Sequence, residues 1–281
     1  MNRNKIALCK ILALALILVA VLPSCQKMYR PPLVIIPDDT AKLNGPLQRM
    51  FWFEESPIDS IYYEKGVASN VTYVDGINGK AYKGASNAMI VLPGGGPKVS
   101  TMTSFTVSFW INTNKHTGGA QTVFVLGRNS DFWGNLFCMI EGNGDANDNS
   151  MLVKFHFAGN WVEFTGSGSN PARIPDMYGK WKHLAFRYDE TTSKFSAFVD
   201  GVKYALSPAV EDRMRNGAPL GKLAFVDPSK LVIGGFQQHA GVFSNSPDSW
   251  MQRYTGMLDQ LRIYTTPISD VEIAALFTNK R

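Results

Sequence analysis

The sequence predicts an all-β fold, a two-sheet antiparallel jelly-roll sandwich finished by a short C-terminal helix, and three observations carry that prediction. Apolar residues recur with a period of two: Phe105, Val107, Phe109 and Ile111 share one face of the segment 105–111, the signature of a strand packed on one side. Similar segments follow at 121–127, 136–141, 151–158, 161–165, 182–189, 222–226 and 231–235, with polar or glycine-rich connections between them. The chain then closes with an apolar strand (Met257, Leu258, Leu261, Ile263, Tyr264), a stop at Pro267, and Ser269 placed to cap a helix whose apolar face is Val271, Ile273, Ala274 and Phe277. About twelve strands against one convincing helix exclude an alternating α/β enzyme.

The elements divide the chain into three parts. Arg3, Lys5 and Lys10 precede an apolar run from Ile11 to Leu22, too short to span a bilayer as a helix, so residues 1–24 read as a secretory signal peptide. Residues 25–46 are punctuated by Pro31, Pro32, Pro37 and Pro46, the composition of a stiff tether. The alternative is that Leu33–Ile36 forms an edge strand. The remaining 235 residues, 281 less 46, suit one large sandwich spanning 47–281. Within it, Phe195 to Tyr204 reads as a hairpin turning on Asp200-Gly201, a pair that favours a tight primed turn.

Cysteine and charge bound the function. Cys9 leaves with the signal peptide, and Cys138 stands alone in an apolar strand as a small buried hydrophobe. With Cys25 at the processing point, no disulfide is expected in the mature chain. The formal charge of +5 falls to +2 without the three cations of the signal segment. No basic run or arginine-rich helix is present, so nucleic acid is not an expected partner.

Two resemblances sharpen this reading. Leu22-Pro23-Ser24-Cys25 resembles a bacterial lipobox, which implies lipidation of Cys25 and a membrane anchor of more than one acyl chain. Gly256-Met257-Leu258-Asp259-Gln260-Leu261-Arg262-Ile263-Tyr264, followed by Ser269 to Ile273, resembles the end of laminin-G-like (concanavalin A-like) jelly-roll domains. Val74-Asp75-Gly76-Ile77-Asn78-Gly79-Lys80-Ala81 resembles the D-G-x-x-G-x-A motif of their bacterial members, and the segments 104–110, 181–186, 198–201 and 233–235 follow the family's order. The physical content of these blocks is core packing and turns. The same sandwich hosts lectins, glycosidases and adhesion modules, so the resemblance implies a scaffold more than a reaction.

Catalytic patterns are missing from the sequence. Glycosidases of the concanavalin A-like type carry E-x-D-x-x-E on one strand face, since retaining hydrolysis needs two carboxylates about 5 Å apart, and no such triplet occurs. His116, His156, His183 and His239 form no zinc-type pair. Gly166-Ser167-Gly168-Ser169 lacks the strand-to-helix context of a nucleophile elbow. The expectation is a chain that is not an enzyme.

Two binding features remain. The segment 141–149 is rich in oxygen donors, with Asp145, Asn147 and Asp148 suited in type to calcium, although Asn, Asp and Gly equally populate plain turns. Laminin-G-like domains commonly hold calcium at the sandwich rim, and Asp259 is a rival ligand. Trp133, Trp161 and Trp250 lie beside polar loops, where an indole face could stack on a sugar ring with Arg128 and Gln237 as hydroxyl partners. Trp110 and Trp181 fall in strand motifs and read as core. Together with the Cys-Gln-Lys start and the tether, the chain resembles accessory lipoproteins of Bacteroidetes-type polysaccharide-uptake systems. That implies a non-catalytic, glycan-binding lipoprotein anchored in the outer membrane as part of an uptake complex, on either the periplasmic or the surface-facing side. A divergent glycoside hydrolase and a structural or protein-binding envelope subunit stay open.

Overall fold

The computed structural model describes residues 45–163 and 173–280. The signal peptide, Cys25, the tether up to residue 44 and the 166–169 loop lie outside the described residues; the last two tether residues bond to the domain, the Pro46 carbonyl accepting the Thr265 N–H at 2.8 Å. Period-two alternation is realised as two large sheets. In the first, β6 (Phe105–Asn112) lies between β11 (Trp181–Asp189) and β18 (Met257–Tyr264). Beyond β11 come β12 (Lys194–Val199) and β13 (Val202–Lys203), and beyond β18 come β4 (Lys80–Lys83) and β3 (Thr72–Asp75). The first strand, β1 (Leu47–Phe51), also pairs with β18.

The second sheet runs from β10 (Asn160–Glu163) through β9 (Val153–Phe157), β8 (Leu136–Glu141), β7 (Ala120–Arg128), β16 (Pro228–Ile233) and β5 (Met89–Leu92) to β2 (Val67–Ser69). Its pairings are antiparallel except where β17 (Met251–Arg253) joins the start of β7 in parallel. A small ribbon of β14 (Met214–Arg215) and β15 (Ala218–Pro219) stands apart, and a single short helical turn, α1 (Pro208–Glu211), precedes it.

The interior is the aromatic layer that the alternation predicts. Phe155 of one sheet stacks on Phe186 of the other at 4.4 Å between centroids, and Phe105, Phe109, Phe124, Phe157 and Phe195 fill the same layer. Fully burying such a side chain contributes about 2 to 3 kcal/mol. Cys138 is buried within this layer, as expected of a structural thiol. Asp200 and Gly201 both take positive φ at the β12–β13 turn, the conformation a primed turn requires.

Three expectations are corrected. Segment 222–226 is not a strand: Leu223 and Phe225 are buried in the core, but a single bond from Leu223 N–H to the Thr103 carbonyl replaces a ladder. The helix α2 (Asp270–Asn279) is capped by a reciprocal Ser269–Glu272 box as predicted, yet its Val271 is 79% exposed. Ile273, Leu276 and Phe277 face the first sheet instead; Phe277 stacks on buried Trp110 at 5.4 Å. Trp181 is half-buried at the start of β11 and not in the core.

Candidate functional site

Alternation that buries Leu136, Cys138, Phe155, Phe157 and Val162 must point their neighbours to the opposite face of the second sheet. Phe137, His156 and Trp161 are therefore cross-strand partners in one row over β8, β9 and β10. Trp161 meets His156 at 4.8 Å and Phe137 at 6.0 Å between ring centroids. Burial, the largest effect, pulls the His156 imidazole down to about 4, so it is neutral at physiological pH.

The loop after β7 covers this row. Asp131 accepts the N–H groups of Trp133 and Gly134 at 2.9 and 3.1 Å, a side-chain turn that aims the indole back over the sheet. Trp133 then meets Trp161 at 4.8 Å and 89°, and Phe132 at 4.7 Å and 79°. Trp250 closes the group, 5.9 Å from Trp133 and 5.3 Å from Phe236, with its indole N–H donating to Asp248 at 3.1 Å. The structure thus gathers all three tryptophans on one face. Each is half-buried, while Phe243, 5.9 Å from Phe132, is 49% exposed.

The polar residues expected beside them divide. Arg128 donates from Nε to the Ser130 hydroxyl, and its charge is felt by the His156 ring, which places it at the rim of the face. Gln237 differs from expectation: it is buried, and its amide is fully used. Its oxygen accepts the Arg128 N–H at 2.8 Å, and its nitrogen donates to the carbonyls of Asp131 and, at 3.0 Å, Phe132. It holds the tryptophan loop and offers no free donor to a ligand.

The oxygen-rich loop is bonded internally and to a lysine. Lys115 donates its ammonium to the carbonyls of Asp145 and, at 2.6 Å, Asp148. The Asp145 carboxylate accepts the Asn147 N–H at 2.9 Å. Ser150 N–H bonds the Asp148 carboxylate at 2.8 Å, and bonding from Ser150 holds that carboxyl below its ordinary range. Asn143 donates to both the carbonyl and the carboxylate of Asp148. The loop's carbonyls thus already hold an ammonium, and both aspartate carboxylates accept backbone N–H groups of the loop itself.

Asp259 presents the opposite case. It is buried at the β3–β4 hairpin, where Oδ2 accepts the Ile77 N–H at 2.9 Å while Oδ1 has no hydrogen-bond partner among the described residues. Burial pushes its carboxyl up to about 7, and the charge of Glu54 adds to the rise. Glu54 itself accepts the Lys80 N–H at 3.0 Å on the same hairpin. A Cβ on Gly76 would lie 2.5 Å from Asp259 Oδ2, which explains the glycine of the D-G-x-x-G motif. An oxygen-only pair with an orphaned buried oxygen fits a hard cation, although no cluster of three His, Cys, Asp or Glu residues is found among the described residues.

Family comparison bears on the fold. The model of the concanavalin A-like lectin/glucanases superfamily (Laminin_G_3) matches residues 84–274. The chain belongs to this superfamily. No curated protein matches it. Among solved structures, this superfamily member is similar to domain 4 of AbnA, a GH43 extracellular arabinanase from Geobacillus stearothermophilus, in complex with arabinotriose. The identity is 19% and the TM-score 0.55, over 83% of this chain and 98% of that one. It is also similar to the binding domain of Paraclostridial Mosquitocidal Protein 1, at 16% identity and TM-score 0.54, over 85% of this chain and 53% of that one. A botulinum neurotoxin type C structure, from work on its two ganglioside molecules, matches at 12% identity and TM-score 0.53, over 83% and 51%. The chain therefore spans about half of the toxin structures and nearly all of the arabinanase domain.

Sequence reasoning found the tryptophans by their loop setting and missed Phe137, His156 and Phe236 beneath them. For Phe137 and His156 the signal was available, since each is flanked within its strand by inward-facing residues and so takes the outer face; Phe236 lies beyond the end of β16, where alternation gives no guide.

Proposed function

We propose that this chain is a non-catalytic carbohydrate-binding lipoprotein of the outer membrane, held there through Cys25 and accessory to polysaccharide capture or uptake. The observation that carries the glycan reading is the joining of Trp133, Trp161 and Trp250, from three separate segments, into one half-buried aromatic face. Indole faces of that kind stack on the C–H face of a sugar ring and exclude water from it. The arabinotriose complex of the similar arabinanase domain supports a ligand of the same class.

The face has carboxylates close by, which keeps a hydrolase in view. Glu141 and Glu163 lie 2.9 and 3.8 Å from the ammonium of Lys154. That single lysine lies between them, where a glycosidic bond flanked by an acid and a nucleophile would have to pass. This arrangement favours binding without hydrolysis. Calcium, if it contributes, would be held by buried Asp259 and exposed Glu54, where it would neutralise the two carboxylates and fix the hairpin.

A glycan array probed with the full chain in detergent, followed by a reducing-sugar assay on each ligand retained, tests the reading. Retention with no new reducing ends is the expected result. Release of reducing ends would establish the hydrolase instead. Binding to a membrane partner with no glycan retained would establish an envelope subunit.

A further inference from the structure

Beside the aromatic face lies a cleft of about 370 Å³ lined by Ser86, His239, Met251, Gln252, Arg253 and Thr255. Strand β17 places Met251 and Arg253 on the same side, two residues apart, and Met251 packs in the apolar cluster that holds Trp250. At the other wall, the His239 ring is 6.0 Å from Phe236, which in turn touches Trp250. The cleft and the tryptophans are thus neighbours on one surface.

Its charge is one-sided. Arg253 donates to the Asn87 carbonyl at 2.6 Å, and at the margin Lys83 donates to the Thr255 carbonyl at 3.0 Å. No acid lines the cleft, and neither cation forms an ion pair among the described residues, whereas Arg49, Arg173 and Arg187 each meet a carboxylate. Backbone carbonyls fix the two cations in position without neutralising them. His239 adds no charge of its own: its Nδ1 accepts the Phe236 N–H at 3.0 Å, and burial together with Arg253 pulls it down to about 4.

We propose that this cleft takes the anionic substituent of an acidic glycan, a carboxylate or a sulfate, with Arg253 and Lys83 as its counter-charges. A guanidinium suits either group because its donors match paired oxygens. The cleft has room for one sugar unit, and its proximity to Trp250 lets the same chain continue over the aromatic face. This inference rests on the glycan reading and narrows it to polysaccharides that carry acidic units.

Affinity electrophoresis of the full chain through matched gels tests it. Polygalacturonate is compared with its carboxyl-reduced form, and dextran sulfate with dextran, so that carboxylate and sulfate are read separately. Retention by at least one acidic polymer over its neutral counterpart is expected, weakened about tenfold by Arg253→Gln and by Lys83→Gln. Lys203→Gln, at the far edge of the first sheet, removes the same charge and should leave binding unchanged. If both cleft variants bind the acidic polymer as the unaltered chain does, the proposal is wrong. It is equally wrong if only neutral polymers are retained, an outcome that leaves the glycan reading intact. Retention of no polymer of either kind would overturn both.

Discussion

Trp133 and Trp161 meet edge to face, their ring centroids 4.8 Å apart and their planes at 89°. One indole is fixed by β-sheet register, because Trp161 of β10 is opposite His156 of β9. The other is fixed by a loop whose backbone is bound to Gln237 and Asp131. Neither ring needs to reorganise to present an apolar face, which lowers the entropic cost of ligand binding.

Because Gln237 satisfies three backbone groups of that loop, Gln237→Ala should be costly out of proportion to its size. Leaving buried donors and acceptors unpaired costs about 1 to 3 kcal/mol. A loss of roughly 2 kcal/mol in urea denaturation, together with weaker glycan retention from a displaced Trp133, is expected. Full stability with altered binding would mean that the glutamine contacts ligand directly.

Asp259 gives a pH dependence. Its carboxyl in the folded chain, at about 7, lies above the ordinary value near 4. The stability it contributes is therefore complete below about pH 4 and is lost as pH rises through 7, to a limit on the order of 4 kcal/mol. In chelator, the melting temperature should fall from pH 5 to pH 8, and Asp259→Asn should flatten that fall. If calcium occupies the Asp259–Glu54 pair, adding it at pH 8 restores the melting temperature of the unaltered chain and leaves the variant unmoved. A wild-type profile that rises over this pH range would contradict the burial argument.

The 143–149 loop should respond to its lysine and not to an ion. Lys115→Met removes a donor from two carbonyls, and a loss of about 1 kcal/mol is expected by thermal denaturation. Replacing Asp145 and Asp148 together by Ala should leave any response to chelator as it is in the unaltered chain. Disappearance of such a response in the double variant would restore calcium to this loop.

Cys25 lies outside the described residues, and its role follows from the lipobox-like sequence alone. Cys25→Ala should abolish incorporation of labelled fatty acid and leave an unprocessed or detergent-independent protein. Labelling that persists in the variant would remove the lipoprotein reading.

Strand positions were legible because alternation survives from sequence to sheet: the predicted 257–264 segment is β18 residue for residue. The bulge inside it was not legible. Gln260 takes a positive φ, the register shifts between Asp259 and Arg262, and the shift lets Asp259 reach Ile77, 182 positions away in sequence. Segment 222–226 was misread because Leu223 and Phe225 fill the core without a partner strand, and burial alone does not distinguish a ladder from a packed coil. The tryptophans were legible by type and loop context. Lys115, 30 residues from Asp145, was not, since only the fold brings an ammonium to that loop.

The central claim is that the joined tryptophans bind glycan, and retention of a polysaccharide found by the array, measured on single Trp133→Ala, Trp161→Ala and Trp250→Ala variants, tests it most directly. Removing a stacking aromatic at a binding hot spot costs about 2 kcal/mol, roughly thirtyfold in affinity. At least one variant should lose that much while keeping a cooperative melt, because all three rings sit on the outer face of the second sheet. Three folded variants that bind as the unaltered chain does would contradict the claim and place the ligand elsewhere.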